Sequence, residues 1–522
     1  MKGKEDKNLN IFNESENYID EISKKIHIKE NSRKTFSGKT MAFLFLTKFC
    51  DVECSHCFFR SRKNLNNEES IEYEFSEEGL EKVIEFINKS NNGYLSVLGG
   101  GEPFNRFDYI IKLISKIKTD RLVLVTSGNW AKNKKEALEK ITEMKKALKA
   151  RQDNLKLVLR ISVDKWHILK IGQESVLNII DIMTKEMDDN FILELHTLTD
   201  DNSLEEILKK IGNYEIRDYH RNISDNDDIL KLGHARYNAV FKNGLKIKVG
   251  VAQKFNSNLK INLNNSVDDF DELIEYFDID IEKNCFGNPS LVYDKYQEKG
   301  LDFLISYNGN ICTWGNDQTY DLNNLYIHSY DEIIKRSVEN IISYSFIDKG
   351  YQYREDIFNE VNPKAVIRSK AINIRDYAGA SLFEERASVL YYGIRVLQDY
   401  LQEGIILKED LNNLSDELIN AILLSKEELI ELYKQANYTI LDQYIKNENY
   451  TVLEWKDLFE LIRLGHYDIS EDKIIEAINI FNFRFNENVK SIDEFKTFNE
   501  EQYVRLLNRL AGMDKKVFQN KI

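Results

Sequence analysis

The stretch Ala42-Phe-Leu-Phe-Leu-Thr-Lys-Phe49, followed by Cys50-Asp-Val-Glu-Cys54-Ser-His-Cys57, decides how the rest of the chain is read. A short apolar run of strand length ends where three cysteines begin. The whole chain of 522 residues has five cysteines. At ~1% cysteine, the chance of partners at both +4 and +7 from a given cysteine is about 10⁻⁴. Three thiolates are one short of a structural zinc site, which takes four ligands. They suit an iron–sulfur cluster that keeps one iron free of protein. His56 is squeezed between Ser55 and Cys57 and makes a poor fourth ligand.

Outward from this stretch, two periods alternate up to about residue 212. Apolar runs of strand length are Ala42–Phe49, Tyr94–Leu98, Leu122–Thr126, Leu155–Val163 and Phe191–Leu198. Between them, Ser76–Lys89, Phe107–Lys118, Lys134–Leu148, Gln173–Met187 and Ser203–Ile211 carry apolar residues at helical spacing. The alternation predicts βα units and a parallel sheet. Helices must cover such a sheet, and ligands sit at the carboxyl ends of its strands.

Residues 213–300 are less regular. Leu245–Ala252 reads as a strand and Val267–Glu282 as an acidic helix. Phe303–Ser306 and Asn310–Trp314, turned by Asn308-Gly309, read as a hairpin. From about 330 the pattern is helical, with Leu390–Leu401, Ser415–Leu423, Ser425–Lys434, Trp455–Leu464 and Glu501–Leu510 showing the stripes of ordinary helix packing. The chain divides into a polar lead-in (1–38), a βα region (39–250), a small α+β extension (251–350) and a helical carboxyl-terminal region (351–522).

Composition excludes several classes. Lys and Arg number 72 against 87 Asp and Glu, a net charge of −15, which argues against gripping a nucleic-acid backbone. With 42% hydrophobic and 30% charged residues, a packed core is expected. Five cysteines exclude a disulfide scaffold. Residues 1–40 contain no apolar signal core, and Met41–Leu46 is far too short to span a bilayer, so a cytoplasmic protein is expected, with no membrane partner.

The other predicted strand ends carry polar groups as well. After the second comes Gly99-Gly100-Gly101-Glu102-Pro103, where glycines let backbone approach a ligand closely and a carboxylate can accept from an ammonium group. Thr126-Ser127-Gly128-Asn129-Trp130 follows the third, and Ser162-Val-Asp164-Lys-Trp-His167 the fourth. Glu194-Leu-His196 lies on the fifth. His196 reads as a satisfied buried histidine, and His167 as a residue that can touch a cofactor or substrate.

Cys-x-x-x-Cys-x-x-Cys after the first strand of a βα array, with Gly-Gly-Glu after the second, resembles the radical S-adenosylmethionine (radical SAM) superfamily. The resemblance covers about 40–200 well and 280–350 loosely. It implies a partial (β/α)6 TIM-like barrel in an α/β fold. It also implies one [4Fe–4S] cluster on Cys50, Cys54 and Cys57, whose open iron chelates S-adenosylmethionine. By the same resemblance, His56 lies near the adenine and Gly100, Gly101 and Glu102 near the methionyl amino group. Ser162 and Asp164 match the family's Ser-x-Asp segment near the ribose or carboxylate. Ser127 stands where the family often has Asn.

Cys285 and Cys312 resemble the start of the cysteine-rich (SPASM or twitch) extensions that follow many such barrels. Two cysteines cannot complete a second [4Fe–4S] cluster, so the extension reads as degenerate. Three roles stay open for the pair: ordinary small core residues, a vestigial cluster site, or a thiol that donates hydrogen to a substrate radical. The resemblance implies reductive cleavage of S-adenosylmethionine and hydrogen abstraction from a substrate. A ribosomally made peptide leads as substrate, with epimerisation or crosslinking as the outcome; a nucleotide or other small metabolite is the alternative, and a non-catalytic iron–sulfur scaffold the least favoured. An electron donor such as flavodoxin or ferredoxin is implied as partner.

Overall fold

Runs such as Leu157-Val-Leu159 and Leu122-Val-Leu124 are buried on both faces, and only a sheet covered by other elements satisfies that. The computed structural model describes residues 11–33, 36, 38–54, 61, 63, 74–98, 100–198, 201–218, 235–252, 300–301, 303–313, 323–361, 386–446, 450–463 and 469–496. Its centre is one eleven-stranded sheet. The strands are β1 (Thr40–Leu44), β2 (Asn92–Val97), β3 (Arg121–Thr126), β4 (Lys156–Ser162), β5 (Phe191–Leu198), β6 (Tyr214–Arg217), β7 (Ala235–Phe241), β8 (Lys246–Ala252), β9 (Phe303–Ile305), β10 (Asn310–Thr313) and β11 (Asn323–Asn324). Their order is β11-β10-β9-β1-β2-β3-β4-β5-β8-β7-β6. From β9 through β1–β5 to β8 every pairing is parallel. The fold is therefore α/β with a parallel sheet, compatible with a partial TIM-like barrel that does not close.

Helices α1 (Ser15–Lys25), α2 (Glu77–Lys89), α3 (Phe107–Lys116), α4 (Lys134–Lys149), α5 (Lys165–Ile171), α6 (Gln173–Glu186) and α7 (Ser203–Ile211) accompany the strands. Helix α2 shows the local logic. The Ser76 hydroxyl accepts from the Gly79 N–H as N-cap, Glu77 and Glu78 fill the first turn and Lys89 the last, and Leu80, Val83, Ile84 and Ile87 form the buried stripe. Leu157, Leu159 and Ile161 of β4 belong to the core beneath the helices. The alternate residues Val158, Arg160 and Ser162 therefore face the opposite side of the sheet.

Three differences from the sequence expectation have physical causes. β1 ends at Leu44 rather than Phe49, because the chain then peels away so that Thr47 bridges both Glu74 and Gly100. The antiparallel pair β6–β7 lies where no strand is expected, since Tyr214-Glu-Ile-Arg217 is a short, largely exposed edge strand with no apolar run. Helix α5 also goes unanticipated: seven residues give too few apolar positions for a period. The expected hairpin is present as β9–β10. The expected helices at 267–282 and 501–510 lie outside the described residues.

The described remainder is helical: α8 (Tyr330–Glu339), α9 (Ile341–Asp348), α10 (Gly350–Val361), α11 (Arg386–Gln402), α12 (Asp416–Ile422), α13 (Lys426–Lys446), α14 (Val452–Arg463) and α15 (Glu471–Phe485). Helix α1 joins this group. Its Tyr18, Ile19 and Ile22 are buried, and Glu21 accepts from both the backbone N–H and the hydroxyl of Ser415 at 2.7 and 2.8 Å. One hydrophobic core runs from the sheet into these helices; a second, around Trp455, Phe459 and Phe481, closes the far end. No helix among the described residues is long and apolar enough to cross a membrane.

Candidate iron–sulfur site

Where the parallel strands end, four loops meet. The β1 loop carries Cys50 and Cys54, both free thiols, with Cys54 buried. Between them Glu53 takes a left-handed backbone (φ 48°), which a non-glycine residue adopts only when its surroundings hold it there. Asn105 Nδ2 donates to Asp51 Oδ1 at 2.7 Å, and the Lys63 N–H donates to Glu53 Oε1 at 3.0 Å. His56 and Cys57 lie outside the described residues, as does Cys285. Among the described residues, no three His, Cys, Asp or Glu side chains gather as a metal site.

The β2 loop lies directly against the cysteine loop. Gly100 has φ 76° and bridges Thr47, and the Glu102 N–H donates to the Phe49 carbonyl at 2.9 Å. A Cβ on Gly101 would sit 2.1 Å from that same Phe49 oxygen, and one on Gly100 2.6 Å from the Thr47 oxygen. These glycines let two backbones touch just ahead of Cys50. Gly101→Ala is therefore expected to force the loops apart, costing about 1–3 kcal/mol as an overpacked contact. A denaturant midpoint for the variant within error of the parent would contradict it.

Glu102 binds the next loop. It is 4% exposed. Its Oε1 accepts from the Thr126 hydroxyl at 2.7 Å and the Phe104 N–H at 3.1 Å. Its Oε2 accepts from the Ser127 hydroxyl at 2.6 Å and the Ser127 N–H at 2.9 Å. Thr126 Oγ1 in turn accepts from the Gly128 N–H and Trp130 Nε1, and the Trp130 ring stacks on Phe104 at 4.6 Å. Glu102, Thr126 and Ser127 thus make one wall out of two strand ends.

Residues 36–153 match the sequence model of a 4Fe-4S single cluster domain. The match takes in the cysteine triplet, the glycine turn and the Thr126–Trp130 loop. No curated protein matches the chain. Free thiols at the carboxyl end of a parallel sheet are the soft donors that an iron–sulfur cluster takes, so Cys50 and Cys54 fit the cluster domain chemically.

The β4 loop lies beyond the matched residues yet reaches the same place. Asp164, buried, caps α5 by accepting from the Trp166 and His167 N–H groups, both at 3.1 Å. Its Oδ2 holds His167 Nδ1 at 2.5 Å. Cys54 also interacts with the His167 ring. Burial alone would lower the basicity of this ring; Asp164 and Cys54 outweigh it and raise the pKa to about 10. Asp201, which no sequence pattern singles out, braces the turn by accepting from the Lys165 N–H at 2.8 Å.

The sheet face away from the helices carries a charged cluster below these loops. Arg160 pairs with Glu194 at 3.2 Å, and Glu194 Oε1 meets His196 Nε2 at 2.8 Å. Tyr94 is a further hydrogen-bond partner of Arg160. His196 is thus hydrogen-bonded as expected, but half-buried rather than buried. A Cβ at Gly250 would fall 1.9 Å from His196 Nε2, so a glycine on β8 makes room for the ring. Arg160 and Gly250 are missing from the sequence expectation; an arginine inside an apolar run and a glycine in mid-strand are the signals that were there to be read. Ser162 pairs with His196 in the strand register. The backbone of Cys312 lies in β10 opposite Leu304.

Proposed function

We propose that the chain is a radical SAM enzyme that reductively cleaves S-adenosylmethionine and abstracts a hydrogen atom from a substrate, with a ribosomally made peptide as the leading substrate. The observation that carries it is the Gly100–Glu102 turn pressed backbone to backbone against the residues leading into Cys50. Around a cluster on Cys50, Cys54 and Cys57, which supplies one electron when bound, the chain has three tasks. It walls the cofactor with the Gly100–Glu102 and Thr126–Ser127 segments. It keeps water from the reacting carbon by closing the loops on one another. It presents a substrate along the sheet face that carries Arg160, Glu194 and His196.

The added strands β9–β11 and the helical region offer a surface for a peptide, and a flavodoxin or ferredoxin would deliver the electron. The charged cluster on the sheet face favours the second reading, a polar small molecule or nucleotide. Anaerobic reconstitution is expected to give about four irons per chain, and dithionite with S-adenosylmethionine to release 5′-deoxyadenosine. A cluster-loaded protein that releases none would refute the enzyme reading. Which molecule passes its deuterium to the 5′-deoxyadenosine separates peptide from metabolite.

A further inference from the structure

Arg121 and Lys156 open β3 and β4, and the strand register sets them side by side with Tyr94 of β2. Directly paired residues share a face, and the next residues along, Leu95, Leu122 and Leu157, belong to the core beneath the helices. Tyr94, Arg121 and Lys156 therefore lie on the other face, at the end of the strands away from the cysteine loop. Strands β3 and β4 are six and seven residues long, so this end is about 20 Å from the loops that follow them. A cavity of about 940 Å³ opens here, where the chain enters β1 to β4. Small-molecule sites have volumes of this order. Its charges do not balance. Lys39, Lys118, Arg121 and Lys156 line it, against Asp120 and Asp153. Both carboxylates are taken: Asp120 pairs with Lys39 at 3.1 Å, and Asp153 with Arg151. Among the described residues, no carboxylate pairs with Lys118, Arg121 or Lys156. Three unneutralised cations around one cavity stand out in a chain of net charge −15. Lys248 of β8, on the same face opposite Glu194, senses the excess. Burial, then the Arg121 charge, and more weakly Lys156 and Lys246, push its ammonium below the usual pKa, and Glu194 offsets only part of this.

We propose that this cavity binds a phosphate-bearing small molecule, with Arg121 and Lys156 gripping the phosphate and Lys118 adding charge at the rim. Arginine offers a planar fork that meets two phosphate oxygens, and lysine a compact point charge. The Tyr94 ring and the Asn154 amide line the same cavity. They give a base or sugar carried on the phosphate an apolar surface and a hydrogen-bonding group. The site needs neither the cluster nor S-adenosylmethionine, because it lies at the other end of the sheet.

The test uses the full chain in phosphate-free buffer, with inorganic phosphate and AMP as probes and titration calorimetry as the readout. Arg121→Gln and Lys156→Gln each remove one cavity charge. Lys185→Gln removes an exposed charge on α6, outside the cavity, and serves as the control. Circular dichroism checks that every variant is folded. Each cavity variant is expected to bind both probes roughly tenfold more weakly than the parent, the double variant more weakly than either, and Lys185→Gln as the parent does. Added phosphate should raise the urea midpoint of the parent and leave that of the double variant unmoved. Tighter binding of AMP than of phosphate would assign Tyr94 and Asn154 to the nucleoside; equal binding would leave phosphate as all that the cavity reads, and both results uphold the site. A parent that binds neither probe would overturn the proposal. So would a control weakened as much as the cavity variants, since that is the behaviour of diffuse surface charge.

Discussion

On the proposed radical SAM reading, Cys54→Ala is expected to leave a folded chain that neither holds a full cluster nor cleaves S-adenosylmethionine. The side chain is small and sits at the edge of the core, so removing one sulfur leaves a small cavity costing about 1 kcal/mol. The consequence for a cluster is of another order. A cluster domain with three cysteines has no spare thiolate, and two ligands cannot hold four irons against exchange with solvent. Removing even an outer partner of a metal ligand commonly costs about 10–100-fold in affinity or activity. Loss of a ligand itself should lower 5′-deoxyadenosine release by more than about 100-fold and the iron count to below about one per chain. Iron, sulfide and product are measured on the same preparation, with circular dichroism to confirm folding. Near-parental cleavage by a folded Cys54→Ala chain would remove Cys54 from the ligand set. Cys312→Ala, on β10, is the matched control and should keep both cluster and cleavage.

The βα order was legible because two periods, about 2 and about 3.6 residues, leave different traces in apolar spacing. Strands buried on both faces read as continuous runs, which is why β3, β4 and β5 fall within a residue or two of expectation. β6 is an edge strand with no such run, and β7, though paired on both sides, interrupts its apolar residues with Arg236 and Asn238, so neither was legible. Residues 11–25 read as polar because only Ile11, Phe12, Tyr18, Ile19 and Ile22 are apolar; what helps to bury them is α11, more than 360 residues further on, and no local pattern records that. The site divides the same way. Cysteine spacing and a glycine turn are local, so they can be read from the chain. That Asp164 and His167 lead to Cys54, or that Gly250 makes room for His196, depends on strands coming together, and sequence distance hides it.

Glu102 is where a family likeness and a local geometry make different demands on one carboxylate, and mutation separates them. If its task is to meet the amino group of S-adenosylmethionine, Glu102→Gln should mainly weaken cofactor binding and leave stability nearly intact. Among the described residues, the hydrogen bonds of its carboxylate go to Thr126, Ser127 and Phe104. Glu102→Ala would strand those buried donors, and at about 1–3 kcal/mol for each one left unsatisfied the expected loss is about 3–5 kcal/mol, allowing for relaxation of the hydroxyls. Glu102→Gln keeps an acceptor for Thr126 and the Phe104 N–H but turns an amide N–H toward Ser127. The Ser127 hydroxyl can rotate to accept it; the Ser127 N–H cannot. A loss of about 1–3 kcal/mol is therefore expected for Gln. Stability and cluster retention should fall together in the order parent, Gln, Ala, because the wall that Glu102 ties together also backs the cysteine loop through the Phe49 carbonyl. Urea unfolding of the apo chain reads the first quantity and iron retention during anaerobic gel filtration the second. A Gln variant with parental stability and a weakened affinity for S-adenosylmethionine would instead make Glu102 a cofactor contact whose bonds to Thr126 and Ser127 are dispensable.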